Sequence, residues 1–301
     1  YHLKLISKYI IYKLELYKTR TNTTKRNNML KGLPPVLTKL MLISAVILAL
    51  APARLLAGDN THEWRQYDSY ADATAVVDKQ SMVINANPGS ADAYLLRGNA
   101  YFELREFDHA INDFSKAIQI NDHDMGYFGR GMALGRTGAI DEGIEDLSIF
   151  IQRNPGSSLA YTKRGIRHFW NNDKDEAEKD LRMAIELNPR NAEAHDDLGV
   201  ILAQRGEFDT AIRFFKNTVS IDPTYQKGFH NLALAYFITD RNEEALTSVD
   251  TALRLRPENR NSMLLKGNIL KALGKDKQAA DILEAAQFLP EGSWSEQAPV
   301  N

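Results

Sequence analysis

The 301-residue chain contains no cysteine. This absence excludes disulfide bonds, thiolate metal sites, cysteine nucleophiles and lipid attachment through cysteine. No part of the sequence is rich in strand-forming residues, so no sheet domain is predicted. Hydrophobic residues make up 44% of the chain, which is enough for a packed core. The stability of the protein must therefore come from the packing of its helices.

The sequence also lacks the signals of a nucleic-acid binder. Residues 58–301 carry 27 Lys or Arg against 38 Asp or Glu. This acidic balance repels a phosphate backbone, and no basic stripe with interleaved aromatic residues is present. The glycines of Gly267–Lys275 have the wrong spacing for a phosphate-binding loop. We predict no nucleic-acid partner and no cofactor.

What the sequence does contain is a period of about 34 residues. The prolines Pro155, Pro189, Pro223 and Pro257 are each 34 residues apart. Two series of small residues share this register, each with one spacing of 33 residues followed by spacings of 34. They are Gly98, Gly131, Gly165, Gly199, Ala233 and Gly267, and Ala110, Gly143, Ala177, Ala211, Ala245 and Ala279. Such a period predicts a solenoid of stacked helix pairs.

Within one period, apolar residues recur at helical spacing on both sides of the breaker "QRGEF" at 204–208. Each unit is therefore predicted to be a helix, a short turn and a second helix. Gly199 lies inside the first helix, where glycine costs about 0.5 to 1 kcal/mol relative to alanine. We infer that a side chain there would prevent two helices from packing closely. The Asn-Pro pair at 188–189 ends the second helix.

The stretch from Tyr94 to Asp122 resembles a unit of the tetratricopeptide repeat family. It carries that family's pattern at Tyr94, Gly98, Tyr101, Ala110, Phe114 and Ala117. The resemblance implies an all-α, right-handed superhelical solenoid of antiparallel helix pairs. Six units are predicted, at residues 91–123, 124–157, 158–191, 192–225, 226–259 and 260–290. Residues 58–90 are interpreted as an N-terminal capping segment or a degenerate repeat, and residues 291–301 as a disordered tail.

Members of this family bind protein partners in a concave groove lined by the first helix of every unit. The groove positions correspond here to Leu95, Asn99 and Phe102 in the first unit, Phe128 and Met132 in the second, Thr162, Ile166, Phe169 and Trp170 in the third, Asp196 and Val200 in the fourth, and His230, Leu234 and Phe237 in the fifth. Grouped aromatic residues are typical anchors of a binding patch. We predict that Phe169 and Trp170 form its centre.

The histidines give no prediction of catalysis or of metal binding. The motifs "HDD" at 195–197 and "DHD" at 122–124 look like fragments of such sites. His195 and His168, however, fall where the family places packing aromatics, so we expect core or turn roles for both. A carboxylate clamp of the kind some family members use is not predicted either, because Leu95 and Gly129 replace its polar residues.

The N-terminal part has the plan of a secretory signal peptide. The first methionine is Met29, so residues 1–28 are interpreted as upstream or disordered sequence. Residues 29–57 combine basic residues, the apolar run from Leu40 to Leu50 and a following stretch of small residues. The apolar run is shorter than the span of about 20 residues that crosses a membrane. Cleavage near residues 53 to 57 is predicted, with an anchor formed by residues 40–53 as the alternative.

These features together predict an exported, periplasmic or secreted scaffold for protein–protein interaction without enzymatic activity. Its expected partner is a protein or peptide, and contact with a membrane is expected only if the N-terminal apolar segment is retained. Two alternatives remain open. One is a non-catalytic accessory subunit of an envelope enzyme or of a polysaccharide or cell-wall system. The other is a membrane-anchored adaptor.

Overall fold

The structure is a computed structural model that describes Trp64 and residues 69–290. This part of the chain contains thirteen α-helices and no strand, which confirms the predicted all-α class. In chain order the helices are α1 (Tyr70–Ala86), α2 (Ala91–Glu103), α3 (Phe107–Asn121), α4 (Asp124–Thr137), α5 (Ile140–Arg153), α6 (Ser158–Trp170), α7 (Lys174–Leu187), α8 (Ala192–Gln204), α9 (Phe208–Ile221), α10 (Gln226–Ile238), α11 (Asn242–Leu255), α12 (Arg260–Ala272) and α13 (Asp276–Gln287).

Helices α2 to α13 form six consecutive pairs, one pair in each predicted unit. Within a unit the two helices pack against each other, and the second helix packs against the first helix of the next unit. Successive first helices also contact one another, more closely than successive second helices do. The array therefore curves with the first helices on its inner side, so that α2, α4, α6, α8, α10 and α12 line the concave face.

The turn inside each unit contains one residue in the left-handed region. These residues are Arg105, Gly138, Asn172, Gly206, Asp240 and Gly274, with φ between 57° and 90°. Their spacing repeats that of the units. Glycine adopts this conformation without the steric cost that a Cβ imposes, and Asn and Asp adopt it more easily than other residues. Arg105 is the member of the series that suits the conformation least.

The helix crossing is tight at the small residues that the period identified. A Cβ placed on Gly199 would lie 2.6 Å from the Phe215 ring, which explains the glycine inside α8. In the second unit Gly131 and Gly143 face each other. A Cβ on Gly131 would lie 2.8 Å from the carbonyl oxygen of Gly143, and one on Gly143 would lie 2.9 Å from that of Gly131. The glycine that replaces alanine at 143 thus accompanies a backbone-to-backbone contact.

A repeated ion pair joins the two helices of each of the first three units. Arg97 forms a two-pronged pair with Asp113, with both nitrogen–oxygen distances between 2.7 and 2.8 Å. Arg130 with Asp146 and Arg164 with Asp180 repeat this geometry one and two units later. Each arginine also donates to a serine of the preceding second helix, namely Ser81, Ser115 and Ser148. This Arg–Asp–Ser ladder therefore connects α1 to the array as if α1 were the second helix of a preceding unit.

The fourth and fifth units have no such pair at the equivalent positions. Leu198 and Phe214 stand where the arginine and the aspartate are expected from the period, followed by Leu232 and Ser248. Leu198 is fully buried. The same helix contact is therefore made by apolar packing in this half of the array.

The predicted signal peptide or anchor at 29–57 and the predicted tail at 291–301 lie outside the described residues. Among the residues that the structure does describe, no helix is long and apolar enough to cross a bilayer.

Candidate functional site

The structure divides the fourteen predicted groove residues into a buried set and an accessible set. Buried are Leu95, Asn99, Phe128, Met132, Thr162, Ile166, Asp196 and His230. Partly or fully exposed are Phe102, Phe169, Trp170, Val200, Leu234 and Phe237. All of them lie on first helices. In this conformation only the second set presents side chains to a partner.

Several of the buried polar positions connect neighbouring units. Thr162 on α6 donates to the carbonyl oxygen of Ser158 at 2.9 Å and accepts from the Asn191 amide at the same distance. Asn191 also donates to the Ser158 hydroxyl at 2.8 Å, and its side-chain oxygen caps α8. Thr162 is fully buried. Its role in the structure is therefore to join the third unit to the fourth.

A charged cluster joins the fourth unit to the fifth. The Lys227 ammonium lies 3.0 Å from Asp196 and 3.0 Å from Asp197, and the Asn231 amide donates to Asp196 at 2.9 Å. Burial raises the pKa of Asp197 to about 6, and the carboxylates of Glu193 and Asp196 add to this rise while Lys227 opposes it. Burial lowers the pKa of Lys227, but the Asp197 and Asp196 carboxylates outweigh it and raise the pKa. Asp196 thus holds two units together.

His230 makes the corresponding contact between the fifth and sixth units. Its Nδ1 lies 3.0 Å from the Ser262 hydroxyl, to which Gln226 donates at 3.1 Å. Burial lowers the pKa of His230 to about 4, so the imidazole is neutral at pH 7. The sequence places these groove residues on the correct helices but does not reveal that they contact the next unit.

Accessible apolar side chains are concentrated on α10. Leu234 is 39% exposed and Ile238 is 49% exposed, one helical turn apart on the same face. Phe237 beside them and Val200 on α8 are partly exposed. Ile238 was not among the predicted groove residues, although its spacing of four residues from Leu234 could have identified it. The four side chains form an apolar stretch on the concave side, which we call the α10 patch.

Phe169 and Trp170 lie at the end of α6 and are both partly exposed. The Arg167 guanidinium is 4.9 Å from the centre of the Trp170 ring and donates to the carbonyl oxygen of Met132 at 3.0 Å. Burial, together with the Arg136 guanidinium, lowers the pKa of Arg167 to about 10, so the group is still charged at pH 7. The indole of Trp170 is therefore backed by a buried cation on the groove side of the third unit.

The histidine motifs have local roles in the structure. His195 Nε2 lies 3.1 Å from the carbonyl oxygen of Pro189, and its ring packs 5.7 Å from that of Phe214. His168 lies 3.9 Å from the carboxylates of Asp173 and Asp180. Within the described residues, no group of three or more His, Asp or Glu side chains is arranged to hold a metal ion.

Trp64 is a groove residue that the sequence did not reveal. Its indole lies against Phe102 of α2 and Phe128 of α4, at ring-centre distances of 4.9 and 5.3 Å. Two of the predicted groove positions are thereby in contact with a side chain from outside the repeats. No period marks Trp64, so spacing alone could not have placed it there.

Comparison with known proteins identifies repeats of one family along the array. A tetratricopeptide repeat model matches residues 91–124, and a second model of the same description matches residues 162–225 and 230–293. Together the matches cover more than half of the chain. Hsp70-Hsp90 organizing protein 3 of Arabidopsis thaliana is 27% identical over 85 residues, and the Hsp70-Hsp90 organizing protein of Triticum aestivum is 29% identical over the same length. Each match covers 28% of this chain and 15% of the relative.

Solved structures share the architecture. The crystal structure of the APC/C hetero-tetramer Cut9-Hcn1 aligns with a TM-score of 0.60 at 18% identity, over 71% of this chain and 46% of that chain. A structure of pilF from Pseudomonas aeruginosa aligns with a TM-score of 0.58 at 15% identity, over 70% of this chain and 90% of that chain. At these identities the likeness concerns the fold alone.

Proposed function

Because the chain belongs to the tetratricopeptide repeat family, whose members mediate protein–protein interaction, we propose that it is a scaffold that binds a segment of a protein partner along its concave face. The observation that carries the proposal is the α10 patch, where two large aliphatic side chains are exposed on a groove helix. Large apolar groups are exposed in this way at interfaces more often than elsewhere on a soluble surface. The proposed scaffold has no catalytic step.

The third unit supplies the second half of the proposed surface. Phe169 and Trp170 offer aromatic area in a groove that continues through α8 to the α10 patch. A few well-packed aromatic residues usually dominate the energy of an interface. A partner segment lying along α6, α8 and α10 would contact both apolar regions and would pass the charged cluster of Lys227, Asp196 and Asp197 between them.

The names of the curated relatives are consistent with such a role. The plant proteins are named for organising Hsp70 and Hsp90. This chain spans about 15% of the length of those relatives, so only the general mode of action is carried over here. We propose the same kind of activity for this chain, namely holding a protein partner through a repeat groove, and leave the identity of the partner to experiment.

The proposal is tested with peptides selected against the purified full chain from a displayed random library. Leu234→Asp places a charge in the α10 patch, and we expect it to weaken the binding of the selected peptides about tenfold or more. Leu187→Asp is the matched control. Leu187 is also 39% exposed, but it lies on the second helix α7, away from the concave face. Its substitution is expected to leave affinity unchanged within about twofold.

Fluorescence anisotropy of labelled peptides gives both affinities, and circular dichroism verifies that the variants remain helical. Equal weakening by the two substitutions would contradict the groove proposal, because the effect would then follow the added charge and not its position. Failure to select any peptide would contradict it as well.

We also propose that the protein is exported to the periplasm or secreted. The proposal rests on the basic, apolar and small-residue plan of residues 29–57. The mass of the protein isolated from its own cells tests it. A chain that begins near residues 54 to 58 is expected, whereas an intact Leu40–Leu50 segment in the membrane fraction would favour the anchored adaptor.

A further inference from the structure

Trp64 lies outside the repeat helices yet packs in the centre of an aromatic site. Its indole meets Phe102 edge-to-face at 4.9 Å and 81°, and Phe128 at 5.3 Å and 69°. The Phe114 ring lies 6.3 Å away. Edge-to-face contacts at these distances are the favourable arrangement for aromatic rings. The indole is thus held by specific ring geometry as well as by burial.

The site belongs to the concave face at the N-terminal end of the array. Phe102 lies on α2 and Phe128 on α4, the first helices of the first and second units. Met125 at the start of α4 packs against the same apolar residues. Trp64, Phe102 and Met125 each contact two separate core clusters, one in each unit. The indole therefore fills the gap between two neighbouring groove helices.

The environment of Trp64 differs from that of an ordinary core residue. Phe114 and Phe128 beneath it are each 1% exposed, whereas the indole remains partly exposed. No repeat position corresponds to Trp64, and the first helix of the array with which it shares chain continuity begins only at Tyr70. The indole lies on top of the groove residues and covers them, as a bound side chain would.

We propose that Trp64 is a built-in ligand of the groove, and that the site between α2 and α4 recognises an aromatic side chain, tryptophan above all, on an extended segment of a protein partner. A partner segment of this kind competes with Trp64 for the site, so that the free protein holds its own groove closed at this end. The inference rests on the proposed function, because it assigns an anchor residue to the proposed partner.

The probe is a fluorescein-labelled peptide with the sequence of residues 60–69, NTHEWRQYDS. In the wild-type full chain the tethered Trp64 competes at an effective concentration on the order of millimolar. We therefore expect the peptide to bind the Trp64→Ala variant of the full chain at least about tenfold more tightly than the wild type. A peptide with alanine in place of its tryptophan should bind neither. Adding Phe102→Ala to Trp64→Ala should abolish binding of the original peptide.

Equal binding to wild type and Trp64→Ala, or no binding to the folded variant, would overturn the proposal and make Trp64 a fixed part of the core. A second measurement does not depend on the variant. The chain has three tryptophans, so labelling with 5-fluorotryptophan gives three fluorine resonances, with that of Trp64 assigned from Trp64→Phe. Unlabelled peptide at millimolar concentration should move the Trp64 resonance toward that of a solvent-exposed indole, and an unmoved resonance would contradict displacement.

This experiment and the test of the proposed function give separable results. The peptides that probe Leu234 and Leu187 report on α10 and α7, whereas the Trp64 peptide reports on α2 and α4. Loss of the Leu234 effect with retention of the Trp64 effect would refute the proposed α10 surface alone. The opposite pattern would refute the built-in ligand alone.

Discussion

The first three units and the following two make the same helix contact with different chemistry. In the first three, an arginine and an aspartate pair across the two helices and a serine of the preceding unit joins them. In the fourth unit, the equivalent positions are Leu198 and Phe214. The backbone arrangement is maintained in both halves. The comparison teaches that the fold requires a filled contact at this point, and that the charged version adds a connection to the neighbouring unit.

The two versions should respond very differently to the loss of one partner. An apolar pair that is truncated leaves a small cavity, whereas a truncated ion pair leaves a charge without its counterion. Asp180 is almost fully buried, and hydrogen bonding to its carboxylate raises the pKa of Arg164 while burial opposes the rise. The charged half of the array is therefore expected to be the more sensitive half at this position.

The largest effect is predicted for Asp180→Ala. It removes both acceptors of the Arg164 guanidinium, and we expect a loss of about 3 kcal/mol in the free energy of unfolding, measured by urea titration. The double variant Arg164→Leu with Asp180→Phe copies the pair of the fourth unit. It should be within about 1 kcal/mol of wild type. A single variant as stable as the double variant would show that the ion pair is not required.

A second prediction concerns the helix crossing in the apolar half. Gly199→Leu would place a side chain where a Cβ alone already lies 2.6 Å from the Phe215 ring. Overpacking of this kind costs about 1 to 3 kcal/mol, so the variant should melt clearly below wild type. Lys179→Gln on the exposed side of α7 serves as the control and should stay within about 0.5 kcal/mol. Equal melting temperatures for both variants would contradict the packing account.

The contact between the fifth and sixth units gives a pH-dependent prediction. Burial lowers the pKa of His230 from 6.5 to about 4. Below pH 6.5 the unfolded chain takes up a proton that the folded chain does not accept until about pH 4, so acidification in this window favours unfolding. Relative to His230→Gln, the wild type should lose about 1.4 kcal/mol of stability between about pH 7.5 and 5.5. A stability difference that is independent of pH would contradict this assignment.

The smallest effect is predicted in the turns. The first unit places Arg105 in the left-handed region, at φ 63°, where the fourth unit has Gly206 at φ 82°. Arg105→Gly should therefore stabilise the protein by about 0.5 to 1 kcal/mol. Gly206→Arg, the reverse change, should destabilise it by a similar amount. Thermal melts of the two variants that shift in the same direction would show that turn conformation does not control stability here.

The period of the sequence predicted the helices because each unit must bury the same faces against its neighbours. Gly199 shows this most clearly, since its place in the period and the Phe215 ring above it have one cause. The Arg–Asp–Ser ladder was also readable, because Arg97, Arg130 and Arg164 directly precede the glycine series. It remained unnoticed because charged residues at helical spacing are usually solvated.

The groove was less predictable than the fold. Thr162 and Asp196 lie on the predicted helices, but their polar side chains are satisfied by Asn191 and Lys227 of the next unit. Spacing assigns a residue to a face and does not tell which neighbour it meets there. Trp64 is the extreme case, since it contacts residues far along the chain and belongs to no repeat.

The central claim is that the concave face of the third to fifth units binds a protein segment, and the affinity of a selected peptide for Trp170→Ala tests it most directly. The substitution removes a partly exposed ring that covers the Arg167 guanidinium. The account predicts that binding weakens about tenfold or more while helicity and melting temperature stay nearly unchanged. Unchanged affinity, or unfolding of the array, would contradict it, because Trp170 would then be either irrelevant to the partner or part of the core.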